Sequence, residues 1–288
     1  MTAACALGPA IMGLLLNGFV LKLAIKTKIF KGRYKISLFW ATLFSFLACA
    51  FVTLICSFYL YFHLTGHLAN FVICCVIQKT NYMFQVPFFF ALFVTSIDRY
   101  LSVCHKITVN ERIVNLCYPL AFLIVAAYLG SLFIEHRIVT DDVCGVAVQF
   151  PVYLLRAHLT TYCVLAITAF LLSLKTAHHV YSFKKNVTKG VVQISEVRSN
   201  TEKRILYSIT LQAILPIFFI VPFLVRSQLV SFNVAVSVPQ AFIDFVRVLT
   251  YSYYAFNSLI VIATVKAFRV AIFRSLRLQR SVAEVSTK

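Results

Sequence analysis

The sequence predicts an all-α fold: a bundle of seven membrane-spanning helices with the N-terminus outside, followed by a short amphipathic eighth helix. Hydrophobic residues make up 61% of the 288 residues, and the mean hydropathy is +0.88. A helix needs about 20 apolar residues to cross about 30 Å of hydrocarbon, and seven segments reach that length. The predicted spans are about 6–26, 36–62, 71–104, 113–134, 150–174, 205–225 and 239–265.

The first segment is predicted to be a span and not a cleaved signal peptide. Residues 1–26 open on a short apolar run, and their basic residues follow that run. A signal peptide has the opposite order, with its positive region first.

The basic residues define the predicted topology. Of the 27 Lys and Arg, 22 lie in four segments, 22–35, 99–112, 175–204 and 266–288, at alternate ends of the spans. Seven spans with an outside N-terminus place all four segments in the cytoplasm, as the positive-inside rule requires. These cytoplasmic basic segments account for the net charge of +18, so the charge indicates a membrane protein and no nucleic-acid partner is predicted.

The connections are short, so residues 1–288 are predicted to form a single domain in the cell membrane. The outside segments, about 62–70, 135–149 and 226–238, are too small for a separate ligand-binding domain. Any ligand is therefore expected to bind among the helices. The cytoplasmic segment 175–204 is expected to be a solvated loop with helical extensions of its neighbours.

The segment 266–280 is predicted to be an amphipathic helix lying in the headgroup plane. Four apolar residues fall on one face at helical spacing, and four arginines occupy the rest. The apolar residues are Phe268, Ile272, Phe273 and Leu276, and the arginines are Arg269, Arg274, Arg277 and Arg280. The alternative is an ordinary basic flank after the last span.

One face of the third span carries polar residues. Gln78, Asn81 and Gln85 are spaced i, i+3 and i+7, and continuing by sevens reaches Arg99. The amides serve either as hydrogen bonds between helices or as the floor of a ligand pocket. From Cys74 to the adjacent charges at 98 and 99 a helix rises about 36 Å, which places the charges at the cytoplasmic end.

The nine cysteines are divided by position. Cysteines in the middle of spans are expected to pack as small apolar residues; these are Cys49, Cys56, Cys117 and Cys163. Cys74 begins the third span and Cys144 lies in the second outside segment, so both meet an oxidising compartment and a disulfide between them is chemically allowed. Cys75 is an alternative partner for Cys144.

Taken together, these features resemble the rhodopsin-like class of G-protein-coupled receptors over the whole chain. The sequence "DRY" at 98–100 matches that family's motif at the inner end of helix 3, and Cys74 precedes Arg99 by the family's spacing. Asn257 in "FNSLIVIATVKAFR" resembles the conserved Asn of helix 7, and Asn17 in "LLLNGFV" that of helix 1. The resemblance implies that Cys74 pairs with Cys144.

The sequence also departs from that family. Helix 2 contains no acid, helices 4 and 6 contain no Trp, Ser258 replaces a Pro and Val261 replaces a Tyr. Asn81 stands where amine receptors carry an Asp, and Tyr251 where opsins carry the retinal Lys, so neither an amine nor retinal is the expected ligand. Helix 6, "LQAILPIFFIVP", is similar to that of nematode chemosensory receptors; vertebrate taste or odorant receptors share the short loops.

The resemblance implies a role for each motif. Asp98, Arg99 and Tyr100 would engage a heterotrimeric G protein. Asp98 would hold Arg99 in the resting state, and either Glu196 or Glu202 would be a second acid that restrains Arg99.

The seventh and sixth helices would carry the conformational change. Asn257 would act as a switch in helix 7. Pro216 and Pro222 each remove a backbone hydrogen bond and kink helix 6, either as a static bend or as a hinge.

Ligand-contact candidates are polar and aromatic residues in the outer halves of three spans. They are Asn81, Tyr82, Gln85, Arg156, Asp244, Arg247 and Tyr251. Asp244 and Arg247 are spaced i, i+3, so pairing with each other is the alternative.

Other functional classes fit the sequence less well. A transporter or channel would use intramembrane charges and broken helices as an ion path; the sequence has few such charges and no visible inverted repeat. A structural or trafficking membrane protein would not need the "DRY" geometry. An enzyme is not predicted, because neither an intramembrane nucleophile nor a Gly-rich loop is present. No cofactor and no metal site is predicted. The expected partners are a small-molecule ligand, a G protein and the bilayer.

Overall fold

The structure is a computed structural model of the 288-residue chain. It describes residues 2–26, 33–66, 71–134, 138–139, 147–148, 152–187, 210–222, 225–226, 229, 232, 239–264 and 268–270. The longer helices are α1 (Thr2–Lys26), α2 (Arg33–Thr65), α3 (Phe71–Cys104), α4 (Glu111–Ile134), α5 (Val152–Val187), α6 (Thr210–Phe219) and α7 (Gln240–Thr264).

The prediction of an all-α fold is confirmed, with one small addition. Between α4 and α5, Ile138–Val139 (β1) pairs antiparallel with Ala147–Val148 (β2), and Ile138 lies opposite Val148. A ladder of two residues per strand has no periodicity that a sequence can reveal, so it is not predictable from the sequence. The pair lies in the connection between α4 and α5 and leaves the helical architecture unchanged.

Within the described residues, five helices are long and apolar enough to cross a membrane. Their apolar segments are Ala4–Ile25, Ile36–Thr65, Val86–Cys104, Leu159–Ser182 and Asp244–Ala263. Large apolar side chains are exposed on the outer faces of the helices, for example Leu15, Leu116, Leu123 and Leu171. Water disfavours such surfaces and lipid does not, so these helices support a multi-pass membrane protein. The count of seven spans and the outside N-terminus stay predictions.

The helix α5 is longer than the apolar segment that predicted it. The predicted span was 150–174, whereas α5 runs from Val152 to Val187. The residues after 174 are polar, so hydropathy falls there, but they contain neither Gly nor Pro and the helix continues. The expected helical extension of segment 175–204 is therefore present at its N-terminal end.

The helices pack in sequence order, with α1 closing onto α7. Helix α1 contacts α2 and α7, α2 contacts α3 and α4, and α3 contacts α4 and α5. The largest buried cluster joins aromatic residues of α3, α5 and α7, including Phe88, Phe89, Tyr162, Tyr253 and Tyr254. Helix α3 therefore lies at the centre of the described bundle.

Helix α1 packs through small residues. Ala6, Ala10 and Asn17 are fully buried on one face, and a Cβ added at Gly13 would lie 2.6 Å from the Cys49 sulfur of α2 and 3.1 Å from the Cβ of Ala255 in α7. Helices in lipid associate by close packing, because lipid is as apolar as their side chains. Three helices therefore meet at Gly13.

The turn from α3 to α4 is defined by hydrogen bonds. Lys106 has a left-handed backbone, φ 57°, and the Ile107 amide donates to the Leu101 carbonyl at 3.1 Å. The Asn110 side chain accepts from the Arg112 amide at 2.9 Å, which caps the N-terminus of α4. This turn fixes the C-terminal end of α3, where the Asp98–Arg99–Tyr100 motif lies.

Candidate functional site

The motif residue Asp98 is buried near the C-terminal end of α3. Only 3% of its surface is exposed, although ionised side chains are almost never buried unless other groups stabilise them. Its carboxylate is close enough to the Tyr118 hydroxyl of α4 to interact with it electrostatically. Tyr118 in turn donates to the Ser37 hydroxyl of α2 at 3.0 Å. The acid thus lies where α2, α3 and α4 meet.

A tryptophan of α2 closes this junction. The Trp40 indole donates to the Asn115 side-chain oxygen of α4 at 2.7 Å, and its ring stacks on Tyr118 at 5.8 Å and on Phe44 at 5.6 Å. The sequence departs from the resembled family by having no Trp in helix 4; here α2 provides a Trp that contacts α4. The junction around Asp98 is therefore held by aromatic stacking and a side-chain hydrogen bond.

The other two motif residues follow Asp98 at the end of α3, and Tyr100 lies near α5. Arg99 and Tyr100 are both half-buried. The Tyr100 ring contacts the His105 ring edge-on at 5.0 Å, and the Lys175 ammonium of α5 lies 5.4 Å from the Tyr100 ring centroid. Such cation–π contacts are worth about 0.5–1 kcal/mol at exposed sites. Cations from two helices thus lie at this end of the bundle.

Helices α3 and α5 are also joined within the bundle. The Ser96 and Ser173 hydroxyls are 3.0 Å apart, and both residues are buried. Ser96 precedes Asp98 by two residues, and Ser173 precedes Lys175 by two residues. The end of α3 is therefore tied to α5 as well as to α2 and α4.

A buried polar network joins α1, α2 and α7. The Asn17 side-chain amide donates to the Gly13 carbonyl at 2.8 Å and to the Tyr254 carbonyl of α7 at 3.1 Å. The Asn17 side-chain oxygen accepts from the Ser258 hydroxyl of α7. Asn257 donates to the Ser45 hydroxyl of α2 at 3.2 Å. Both asparagines named by the sequence therefore belong to one region, where α2 contributes a hydroxyl and not an acid.

Helix α6 contains one of the two predicted kink residues. Pro216 is buried within α6, and Pro222 is exposed after the turn at Ile220. The Tyr253 hydroxyl of α7 donates to the Gln212 carbonyl at 3.2 Å. No motif in the sequence marks Tyr253. Its only sequence signal is indirect, since Pro216 leaves a free carbonyl four residues earlier in α6.

The structure describes two of the predicted ligand contacts. Arg156 is half-buried near the start of α5, with its guanidinium carbon 4.0 Å from the Phe232 ring centroid. Asp244 is half-buried near the start of α7. The side chains of the other candidates lie outside the described part of the chain, and their roles stay predictions; these are Asn81, Tyr82, Gln85, Arg247 and Tyr251.

The predicted disulfide is likewise untested. The Cys74 side chain and all of Cys144 lie outside the described residues, as do Cys75 and the acids Glu196 and Glu202. The described cysteines are free thiols: Cys5, Cys49, Cys56, Cys104, Cys117 and Cys163.

The described residues contain no group of three or more His, Cys, Asp or Glu side chains able to hold a metal ion. Of the predicted amphipathic helix, residues 268–270 are described; they are helical, and Phe268 is fully buried against Val20, Leu38 and Val261.

In comparison with known proteins, the sequence matches no family model and no curated protein.

Proposed function

We propose that this protein is a G-protein-coupled receptor, chemosensory in role, which binds a small molecule among the outer halves of its helices. The observation that carries the proposal is the buried Asp98 beside Arg99 near the end of α3. It is supported by the predicted cytoplasmic position of that end, which follows from the distribution of basic residues. The motif then lies where a cytoplasmic G protein can reach it.

The charges at this end suit the binding of an acidic or polar peptide surface. Lys106 is exposed in the turn after α3, and Lys175 is exposed on α5. Arg99 adds a third positive charge at this end of α3, where Asp98 is buried. In the proposed mechanism, the Asp98 carboxylate keeps the Arg99 guanidinium beside α3 in the resting state. Ligand binding favours a state in which Arg99 turns toward the G protein.

The second part of the mechanism is a movement of α6. A proline removes one backbone hydrogen bond and allows the helix to bend there. Movement of the cytoplasmic part of α6 away from α3 would open a groove beside Arg99. The ligand can shift the equilibrium toward the open state only by the ratio of its affinities for the open and the resting state.

The test is nucleotide exchange on purified heterotrimeric G proteins, with receptor in lipid nanodiscs and a panel of small volatile odorants as the probe. Arg99→Ala is expected to lower both basal and odorant-driven exchange by at least about ten-fold, because charged hydrogen bonds contribute about 1.5–3 kcal/mol. Arg112→Ala is the matched control, since it removes the same charge from an exposed position at the start of α4.

Two results would count against the receptor function. Equal exchange by the Arg99→Ala and Arg112→Ala variants would show that Arg99 does not contact the G protein. Absence of exchange for the unmodified protein, together with ion flux across liposomes that contain it, would favour the transporter or channel class.

A further inference from the structure

One carbonyl of α6 lacks its usual helical partner. In an α-helix the carbonyl of residue i accepts from the amide of residue i+4, and the residue four after Gln212 is Pro216, which has no amide hydrogen. After the proline the pattern resumes, because the Ile220 amide donates to the Pro216 carbonyl at 2.9 Å. Gln212 is 4% exposed, so its carbonyl is removed from water. A buried carbonyl is unfavourable without a donor, above all in hydrocarbon.

The missing donor comes from α7. The Tyr253 hydroxyl donates to the Gln212 carbonyl at 3.2 Å, between residues 41 positions apart. Tyr253 is fully buried, and its ring is surrounded by Phe88 at 5.5 Å, Phe89 at 6.5 Å and Phe219 at 6.2 Å. These contacts restrict the ring to one position, so the hydroxyl is fixed toward α6.

A second hydroxyl on the same face of α7 makes a weaker connection. Thr250 donates to the Phe219 carbonyl of α6 at 3.1 Å. Its single proton has another acceptor in its own helix, the Val246 carbonyl at 2.9 Å. Because the proton serves one acceptor at a time, Thr250 binds α6 less strongly than Tyr253 does.

The position of Gln212 relative to the proline decides what this contact restrains. In the proposed topology α6 begins at the cytoplasm, so Gln212 lies on the cytoplasmic side of Pro216. The Tyr253 ring packs against Phe88 and Phe89 of α3, so movement of this segment away from α3 also separates the Gln212 carbonyl from the Tyr253 hydroxyl. We infer that Tyr253 is a positioning residue, which holds the cytoplasmic segment of α6 in its resting position through the carbonyl that Pro216 leaves free. Its signalling consequence rests on the proposed function, whereas the hydrogen bond itself does not.

A double-mutant cycle of Tyr253→Phe and Pro216→Ala tests the hydrogen bond without any G protein. Unfolding of the purified protein in nanodiscs gives the folding equilibrium constant of each variant. In the presence of Pro216, Tyr253→Phe is expected to lower that constant about ten-fold, since it strands a buried carbonyl. In the Pro216→Ala background a backbone amide supplies the donor, and the same change is expected to lower it less than about three-fold.

The matched control is Tyr118→Phe. Tyr118 is also fully buried and also donates to another helix, through Ser37 of α2, and its ring stacks on Trp40 of α2. Its effect is expected to be the same with Pro216 and with Pro216→Ala. Equal effects of Tyr253→Phe in the two backgrounds would overturn the inference.

Basal nucleotide exchange distinguishes a positioning role from a merely structural one, because loss of a merely structural contact would not raise the exchange rate. Tyr253→Phe is expected to increase basal exchange several-fold, and Arg99→Ala added to it is expected to abolish the increase. Unchanged or lower basal exchange in Tyr253→Phe, alongside a signalling unmodified protein, would overturn the positioning role. If no variant and no unmodified protein promotes exchange, the receptor proposal fails, and the stability cycle alone decides whether Tyr253 holds α6.

Discussion

Replacing Gly13 by Ala tests the close packing of α1, α2 and α7. The added methyl group would lie 2.6 Å from the Cys49 sulfur, 3.1 Å from the Ala255 Cβ and 3.2 Å from the Ala255 Cα. Optimal separations between carbon atoms are about 3.5–4.0 Å, so at least two helices must shift. One of the obstructing atoms belongs to the backbone of α7, which cannot rotate away as a side chain can.

The magnitude follows from comparison with a second glycine of the same helix. A Cβ added at Gly8 meets nothing within 4 Å, so Gly8→Ala carries only the helix-propensity gain of about 0.5–1 kcal/mol. Gly13→Ala carries the same gain and an overpacking cost of about 1–3 kcal/mol. The difference between the two variants therefore isolates the steric cost. Gly18→Ala should fall between them, because its neighbour at 3.2 Å is the edge of the Phe46 ring.

Thermal unfolding followed by circular dichroism, on protein purified in nanodiscs, measures the three variants. The melting temperature should fall in the order Gly8→Ala, Gly18→Ala, Gly13→Ala, with roughly 3 °C or more between the first and the last. Adding Cys49→Ala should recover part of the loss, because it removes the nearest atom and leaves the Ala255 contact. A Gly13→Ala variant as stable as Gly8→Ala would refute the close approach of the three helices.

Two further predictions concern the polar contacts. Asn17→Ala should destabilise the protein by about 1–3 kcal/mol, because it leaves the Tyr254 carbonyl and the Ser258 hydroxyl without this partner; a melting temperature equal to that of the unmodified protein would contradict the network. Trp40→Phe keeps an aromatic ring but removes the donor to Asn115, so it should cost about 1 kcal/mol. Adding Asn115→Ala to that variant should cost less than the same change alone, and strictly additive losses in melting temperature would contradict the hydrogen bond.

Much of the helical architecture is predictable because membrane crossing requires long apolar segments. The bounds of α3, Phe71–Cys104, coincide with the predicted span, and α2 and α7 differ from theirs by a few residues or less. Helix α5 differs most, since hydropathy detects where a helix enters polar surroundings and not where its hydrogen bonds end. The two-residue strands lie below the length at which alternation is detectable.

The candidate site is predictable only where a short motif marks it. The sequence identifies Asp98, but its burial depends on side chains of α2 and α4 that are distant in sequence. Tyr253 has no motif, and its partner is a backbone carbonyl 41 residues away. A proline can be read from the sequence and so can the carbonyl that it frees, but the group that approaches this carbonyl is decided by the packing of α6 against α7.

The two faces of α7 explain why a change at Tyr253 should move α6 and leave α7 in place. Within two turns after Tyr253, α7 is held by its neighbours. Asn17 of α1 donates to the Tyr254 carbonyl and accepts from Ser258. Asn257 donates to Ser45 of α2. Helix α6, in contrast, carries a proline that weakens its own hydrogen-bonded ladder. We expect loss of one contact between a restrained helix and a bendable one to displace the bendable one, so that in the proposed mechanism α7 is the fixed reference for the movement of α6.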